Sequence, residues 1–140
     1  IDNFIHTYAG VELRLKMHEI MTKQGHKEET GKAKITSGYN LPAKYVLHTV
    51  GPIIQWKVTQ EDENLLASCY KECLKLAADT GVESIAFCCL STGVFRFPQQ
   101  RAAEIATETV KQFLKKDDRI KKVIFNVFKN EDLEIYSHLL

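Results

Sequence analysis

Residues 84–98 read SIAFCCLSTGVFRFP, and their character changes twice. Ser84 to Leu90 is a short, nearly unbroken apolar run bounded by polar residues. A run of that length suits a central parallel strand covered on both faces. Ser91 to Phe97 then mixes small hydroxyl residues, a glycine and aromatics, which marks a loop. Pro98 follows, a residue whose fixed φ and missing N–H suit the first turn of a helix.

The flanks extend the same alternation. Upstream, Thr59 with Asp62 three residues later reads as a capping box. Leu66, Cys69, Tyr70, Cys73, Leu74 and Ala77 recur behind it at helical spacing, and Gly81 supplies the stop. Downstream, Ala102, Ile105, Ala106, Val110, Phe113 and Leu114 form one side of a helix that ends in the charged Lys115 to Arg119. Ile120 to Phe128 is a further strand, and Asn130 is placed to cap a last helix with Leu133, Tyr136 and Leu140 inward. Helix, strand, loop, helix, strand, helix in this order predicts an α/β domain with parallel pairing and right-handed crossovers.

The first half is less regular. Asp2 to Gln24 predicts helix, interrupted at Gly10 and ended by Gly25, with Ile5, Tyr8, Leu13, Met17, Ile20 and Met21 as its apolar side. Lys32–Gly38 and Lys44–Val50 read as strands joined by a turn containing Asn40 and Pro42, with Gly51-Pro52 ending the second. There is no repeat, low-complexity tract or linker, so the 140 residues are read as one domain.

Composition excludes several functions. Nineteen Lys and Arg against eighteen Asp and Glu leave a net charge of +1, so no basic excess exists to grip nucleic acid through bulk charge. Hydrophobic residues at 44% can bury enough surface to offset ordering entropy. No apolar run approaches the roughly 18 residues of a helical membrane span. The four cysteines fall inside predicted helix and strand and not in loops, which speaks against a disulfide framework and for a reducing cytoplasm. Their spacing includes no C-x-x-C pair and assigns no metal ligand. The chain opens on Ile1 with no targeting segment, so either something was removed or it is a piece of a longer chain.

In an open α/β sheet, ligands bind beyond the carboxyl ends of the strands. The loop Ser91, Thr92, Gly93, Val94, Phe95, Arg96 lies at such an end, ahead of a helix N-terminus whose amides can face an anion. It has the outline of a phosphate loop without a Walker lysine, and an ordinary strand-to-helix turn remains the alternative. At the second carboxyl end, Asn126 could hydrogen-bond a flat ring and Phe128 stack on one, although a Phe there is more often core. His48 reads as a structural histidine within a strand. His6, His18 and His26 form no ligand pair, and Asp2 is a carboxylate at a helix start.

Taken together, GKAKITSGYNLPAKYVLHTVGP, LLASCYKECLKLAADTGVESIAFCCLSTGVFRFP and VIFNVFKNEDLEIY resemble the macrodomain family, nearly end to end and in order. IDNFIHTYAG is similar to the helix that follows the family's first ligand loop. The version here is closest to the bacterial zinc-containing macrodomains that accompany a sirtuin-type ADP-ribosyltransferase. The resemblance implies a three-layer α/β/α sandwich around a mixed, mostly parallel six-stranded sheet, with ADP-ribose or an ADP-ribosylated protein as ligand. It implies that Ser91 to Phe95 hold the diphosphate and distal ribose, with Arg96 standing where relatives have glycine. Asn126 and Phe128 border the adenosine, and Asp2 matches the acidic residue that orients or activates water. Members normally begin with one or two further strands, one central to the sheet, and a ribose-contacting Asn segment. In the zinc branch a Cys…His…Cys cluster precedes the I-D-N, so any zinc ligands are expected upstream of Ile1. The domain is accordingly expected to be incomplete at its N-terminal side, as an excerpt or as one half of a pairing with another segment.

Two functions follow from the resemblance. One is a hydrolase that removes ADP-ribose from protein side chains, the substrate in this branch being a lipoyl-carrier-type protein. The other is a non-catalytic ADP-ribose reader. An unrelated nucleotide- or RNA-binding α/β domain is the third reading, and ADP-ribose binding separates it from both.

Overall fold

A computed structural model describes residues 1–140. Its elements run α1 (Asp2–Ala9), α2 (Val11–Gln24), β1 (Ala33–Ser37), β2 (Tyr45–Thr49), α3 (Gln60–Asp79), β3 (Ser84–Phe87), α4 (Gln99–Lys116), β4 (Lys122–Phe125) and α5 (Asn130–Leu139). The strands form two ribbons. β1 and β2 pair antiparallel with Ile35 opposite Leu47, and β3 and β4 pair parallel with Phe87 opposite Phe125.

The second ribbon carries the main core. Along α3, Leu66, Tyr70, Cys73, Leu74 and Ala77 are buried, and along α4 so are Ala102, Ala103, Ile105, Ala106 and Val110. An aromatic row crosses the ribbon, with ring centres 4.9 Å apart for Tyr70 and Phe87, 6.4 Å for Phe87 and Phe125, and 5.0 Å for Phe125 and Tyr136. α3 starts where the sequence predicts. The Asp62 N–H donates to Thr59 Oγ1 (3.1 Å) and the Thr59 N–H donates to Asp62 Oδ2 (2.9 Å). Thr59→Ala removes one half of this box and is expected to lower stability by about 1 kcal/mol, read as a shift in the urea midpoint at constant slope.

The mixed sheet implied by the resemblance is thus present as two ribbons facing a cleft. β2 has no ladder partner except β1, and β3 has none except β4. The cleft of roughly 930 Å³ between them is lined by Tyr45, Val46 and Leu47 of β2 and by Ser84 to Phe87 of β3, with Ile1 and Ile5 on its border. Edge strands of this kind leave backbone donors and acceptors open.

Some sequence expectations shift by a residue or a face. The β3 ladder ends at Phe87 and not at Leu90, its last rung being the hydrogen bond from the Asn126 N–H to the Phe87 carbonyl (2.7 Å). Asn130 is the first residue of α5, not its cap; Lys129 holds the cap position in extended conformation. Leu133 and Leu140 face outward. The buried Asp132 accepts a hydrogen bond from Gln99 Nε2 (3.1 Å), which turns the helix so that Ile135, Tyr136 and Leu139 face the core. Tyr8 is exposed, because Gly10 at φ +90° breaks α1 from α2 and gives Ala9 and Leu13 the inward positions. Leu114 lies at the edge of exposure near the end of α4.

Candidate functional site

β3 and β4 are parallel, so the segments that follow them, residues 88–98 and 126–129, leave the ribbon at the same edge. The segment after β2 joins them there: the Ile54 N–H donates to the Phe95 carbonyl (2.9 Å), and Gly51 lies directly against Ser91. A Cβ on Gly51 would stand 2.0 Å from Ser91 Oγ, so the absence of a side chain is what lets the two segments meet.

The loop from Ser91 to Arg96 is closed by its own backbone. The Phe97 N–H donates to the Ser91 carbonyl (2.9 Å) and the Arg96 N–H to the Gly93 carbonyl (3.0 Å). Ser91 at φ +62° and Arg96 at φ +63° stand at its two ends in left-handed conformation. The Ser91, Thr92, Gly93, Val94 and Phe95 amides donate to no acceptor in the chain. Five consecutive open donors in a loop with left-handed ends are available to an anion. Directly behind it, α4 begins after Pro98 with no side-chain cap and no acidic residue in its first turn, so its N-terminal field also favours negative charge.

Arg96 stands where the resemblance leads one to expect glycine, in a conformation that costs a non-glycine residue about 1–2 kcal/mol. Glycine would recover that cost less about 0.5–1 kcal/mol of added chain entropy. Arg96→Gly is therefore expected to raise stability, by at most about 1.5 kcal/mol, measured as the change in urea midpoint.

Around the loop stand exposed flat or apolar groups. Phe128 is 99% exposed, against the expectation that a strand-end Phe is core, and so is free to stack on a ring. Val94 is 89% exposed. Asn126 lines the cleft beside Phe87. Trp56, in the segment tied to Phe95, is also fully open, and sequence reading passed over it because an isolated Trp in a loop carries no spacing signal.

Asp2 opens α1 with its side chain 82% exposed. Ile1 and Ile5 line the cleft together with Phe87 and Cys88, and burial raises the Cys88 thiol. The start of α1 therefore stands near the carboxyl end of β3. His6 Nε2 is 3.7 Å from Asp2 Oδ1, one helical turn along. Beneath α1, the His48 ring centre is 6.5 Å from that of His6, and His48 Nε2 is 2.9 Å from Thr36 Oγ1. Sequence reading missed this group. The available signal is the i, i+4 spacing of Asp2 and His6, which puts the carboxylate and the imidazole on one helix face.

All four cysteines are free. Burial raises Cys73 to about 12 and Cys89 to about 11, so neither offers a thiolate near neutrality. No three His, Cys, Asp or Glu side chains stand close enough together to hold a metal ion. The residues present therefore do not assemble a zinc site. No helix is long and apolar enough to cross a membrane.

These features define an α/β domain that presents amide donors and flat side chains at the carboxyl edge of its strands. The macro domain family profile matches residues 1–106. The chain is 58% identical over its full length to a protein-ADP-ribose hydrolase of Treponema medium, covering 54% of that protein. It is 57% identical to one from Staphylococcus aureus strain MRSA252, over 98% of this chain and 52% of that one. It thus spans about half the length of the curated relatives it matches. A solved Oceanobacillus iheyensis macrodomain with ADP superposes with a TM-score of 0.91 at 39% identity, over 99% of this chain and 73% of the other. The chain belongs to the macro domain family.

Proposed function

We propose that the chain removes ADP-ribose from modified protein side chains by hydrolysis at the distal ribose. The observation that carries this reading is the row of open amides from Ser91 to Phe95 ahead of an uncapped helix start. ADP-ribose carries two negative charges on its diphosphate, and a near-neutral chain meets them with fixed backbone dipoles. Such donors need no reorganisation on binding and hold the sugar for attack. Phe128 stacks on the adenine, with Asn126 beside it, and Val94, Phe95 and Arg96 flank the diphosphate.

In the reaction, water attacks the anomeric carbon, the bond to the protein side chain breaks, and the proton lost by water balances the charge on the leaving group. Asp2 orients that water as its hydrogen-bond acceptor. The similarity to proteins named protein-ADP-ribose hydrolase favours this over a reader. A sirtuin-type ADP-ribosyltransferase would install the modification, and a lipoyl-carrier-type protein would bear it. Four free cysteines suit a reducing, cytoplasmic setting.

The test is release of free ADP-ribose from an ADP-ribosylated protein, followed by chromatography, alongside calorimetric titration with ADP-ribose. Release with binding supports the hydrolase. Binding without release makes the chain a reader, and neither makes it something else.

A further inference from the structure

We propose that His48 and Thr36 are positioning residues for Asp2 that act through His6, an inference that rests on the hydrolase reading above. Lys34 pairs with His48 and Thr36 with Val46 in the β1–β2 ribbon, which puts Thr36 and His48 on one face, diagonal to each other. That face lies under α1, where the His48 ring meets His6.

Thr36 is buried, and its hydroxyl donates to the Ser37 carbonyl at 3.1 Å. The same hydroxyl oxygen lies 2.9 Å from His48 Nε2, within hydrogen-bond reach, and a hydrogen bond there in either direction fixes the plane of the ring. Burial, and next the adjacent His6, hold His48 below the usual histidine value, against an opposing pull from Asp2. At neutral pH it is an uncharged ring locked from behind.

His6 rests against this locked ring with the planes inclined at 44°. Its Nε2 faces the Asp2 carboxylate, while its side chain is only 14% exposed. Asp2 has no hydrogen bond of its own, so His6 is the group that can steer an otherwise free carboxylate. Leucine and valine would fill the same space without the desolvation of an imidazole and a hydroxyl. The polar pair is explained by what it orients.

The test uses the full chain with His48→Leu, His48→Gln and Thr36→Val. Three readouts are followed: kcat and KM for ADP-ribose release, the Kd for free ADP-ribose, and the ring-nitrogen resonances of His6, assigned with His6→Gln. His48→Leu is expected to lower kcat about tenfold or more, since small misplacements near the reacting atoms are costly, with KM and Kd within about twofold. Thr36→Val should act in the same direction and less. His48→Gln, which can still hydrogen-bond Thr36, should recover part of kcat. The His6 resonances should move in both His48→Leu and Thr36→Val. Unmoved His6 resonances overturn the proposal whatever the activity, and so does a loss of kcat matched by an equal loss of ADP-ribose affinity. A wild-type chain that releases no ADP-ribose overturns the hydrolase reading instead, and leaves the His6 resonances to decide whether the chain of contacts exists.

Discussion

Gly93→Glu is expected to weaken ADP-ribose binding by at least about 100-fold, which corresponds to roughly 2.7 kcal/mol, with no change in melting temperature. The two halves of this expectation have separate grounds. A Cβ on Gly93 would meet nothing within 4 Å, and the residue does not sit at a positive φ. The fold therefore tolerates a side chain there, and the exposed position lets a carboxylate remain in water when no ligand is bound. The same position lies mid-way along the open amides, where the diphosphate is to sit. A carboxylate about 4 Å from one phosphate costs about 4 kcal/mol at the effective dielectric of a protein surface, and the side chain also occupies space in front of the amides. Gly93→Ala separates bulk from charge: it should bind nearly as wild type does. Calorimetric titration checks both variants. Should Gly93→Glu bind ADP-ribose with undiminished affinity, the anion sits elsewhere on the edge.

What could be read in advance, and what could not, divides along the kind of signal each feature leaves. The capping box at Thr59, the apolar stripe of α3 and the strand-loop-helix passage from Ser84 to Pro98 are all local patterns, and each is found where its residues place it. The loop's open amides were legible for the same reason, because small residues between a strand and a helix already say that backbone amides are near the surface. The face of α5 was not legible. Its rotation depends on Gln99 reaching Asp132 from 33 residues away, and no periodicity carries that information. Phe128 illustrates the converse: hydrophobicity alone places it in the core, whereas β4 stops at Phe125 and leaves it fully open. The gathering of Asp2, His6, His48 and Thr36 requires α1 to lie across the β1–β2 ribbon. Only the i, i+4 step from Asp2 to His6 was present in one dimension.

Asp2→Ala is expected to lower the rate of ADP-ribose release by about 100-fold or more, in the range lost when a positioned acid–base group is removed. Affinity for free ADP-ribose should be unchanged or slightly tighter. The rate effect follows from the role assigned to the carboxylate, which accepts a hydrogen bond from the attacking water and holds it for the anomeric carbon. The affinity effect follows from charge: a carboxylate near an anionic ligand repels it, so its removal cannot weaken binding through Coulomb terms. Stability should fall only slightly. The side chain is 82% exposed and its structural role is that of an acidic residue in the first turn of α1, worth about 0.3–1 kcal/mol to the helix. Asp2→Asn keeps the size and loses the charge, so it should match Asp2→Ala in rate if ionisation matters and recover part of the rate if hydrogen bonding alone suffices. Turnover by Asp2→Ala at the wild-type rate would remove Asp2 from the mechanism. Parallel loss of rate and affinity would make it a ligand contact, and the water would then need another acceptor at the carboxyl edge of the strands.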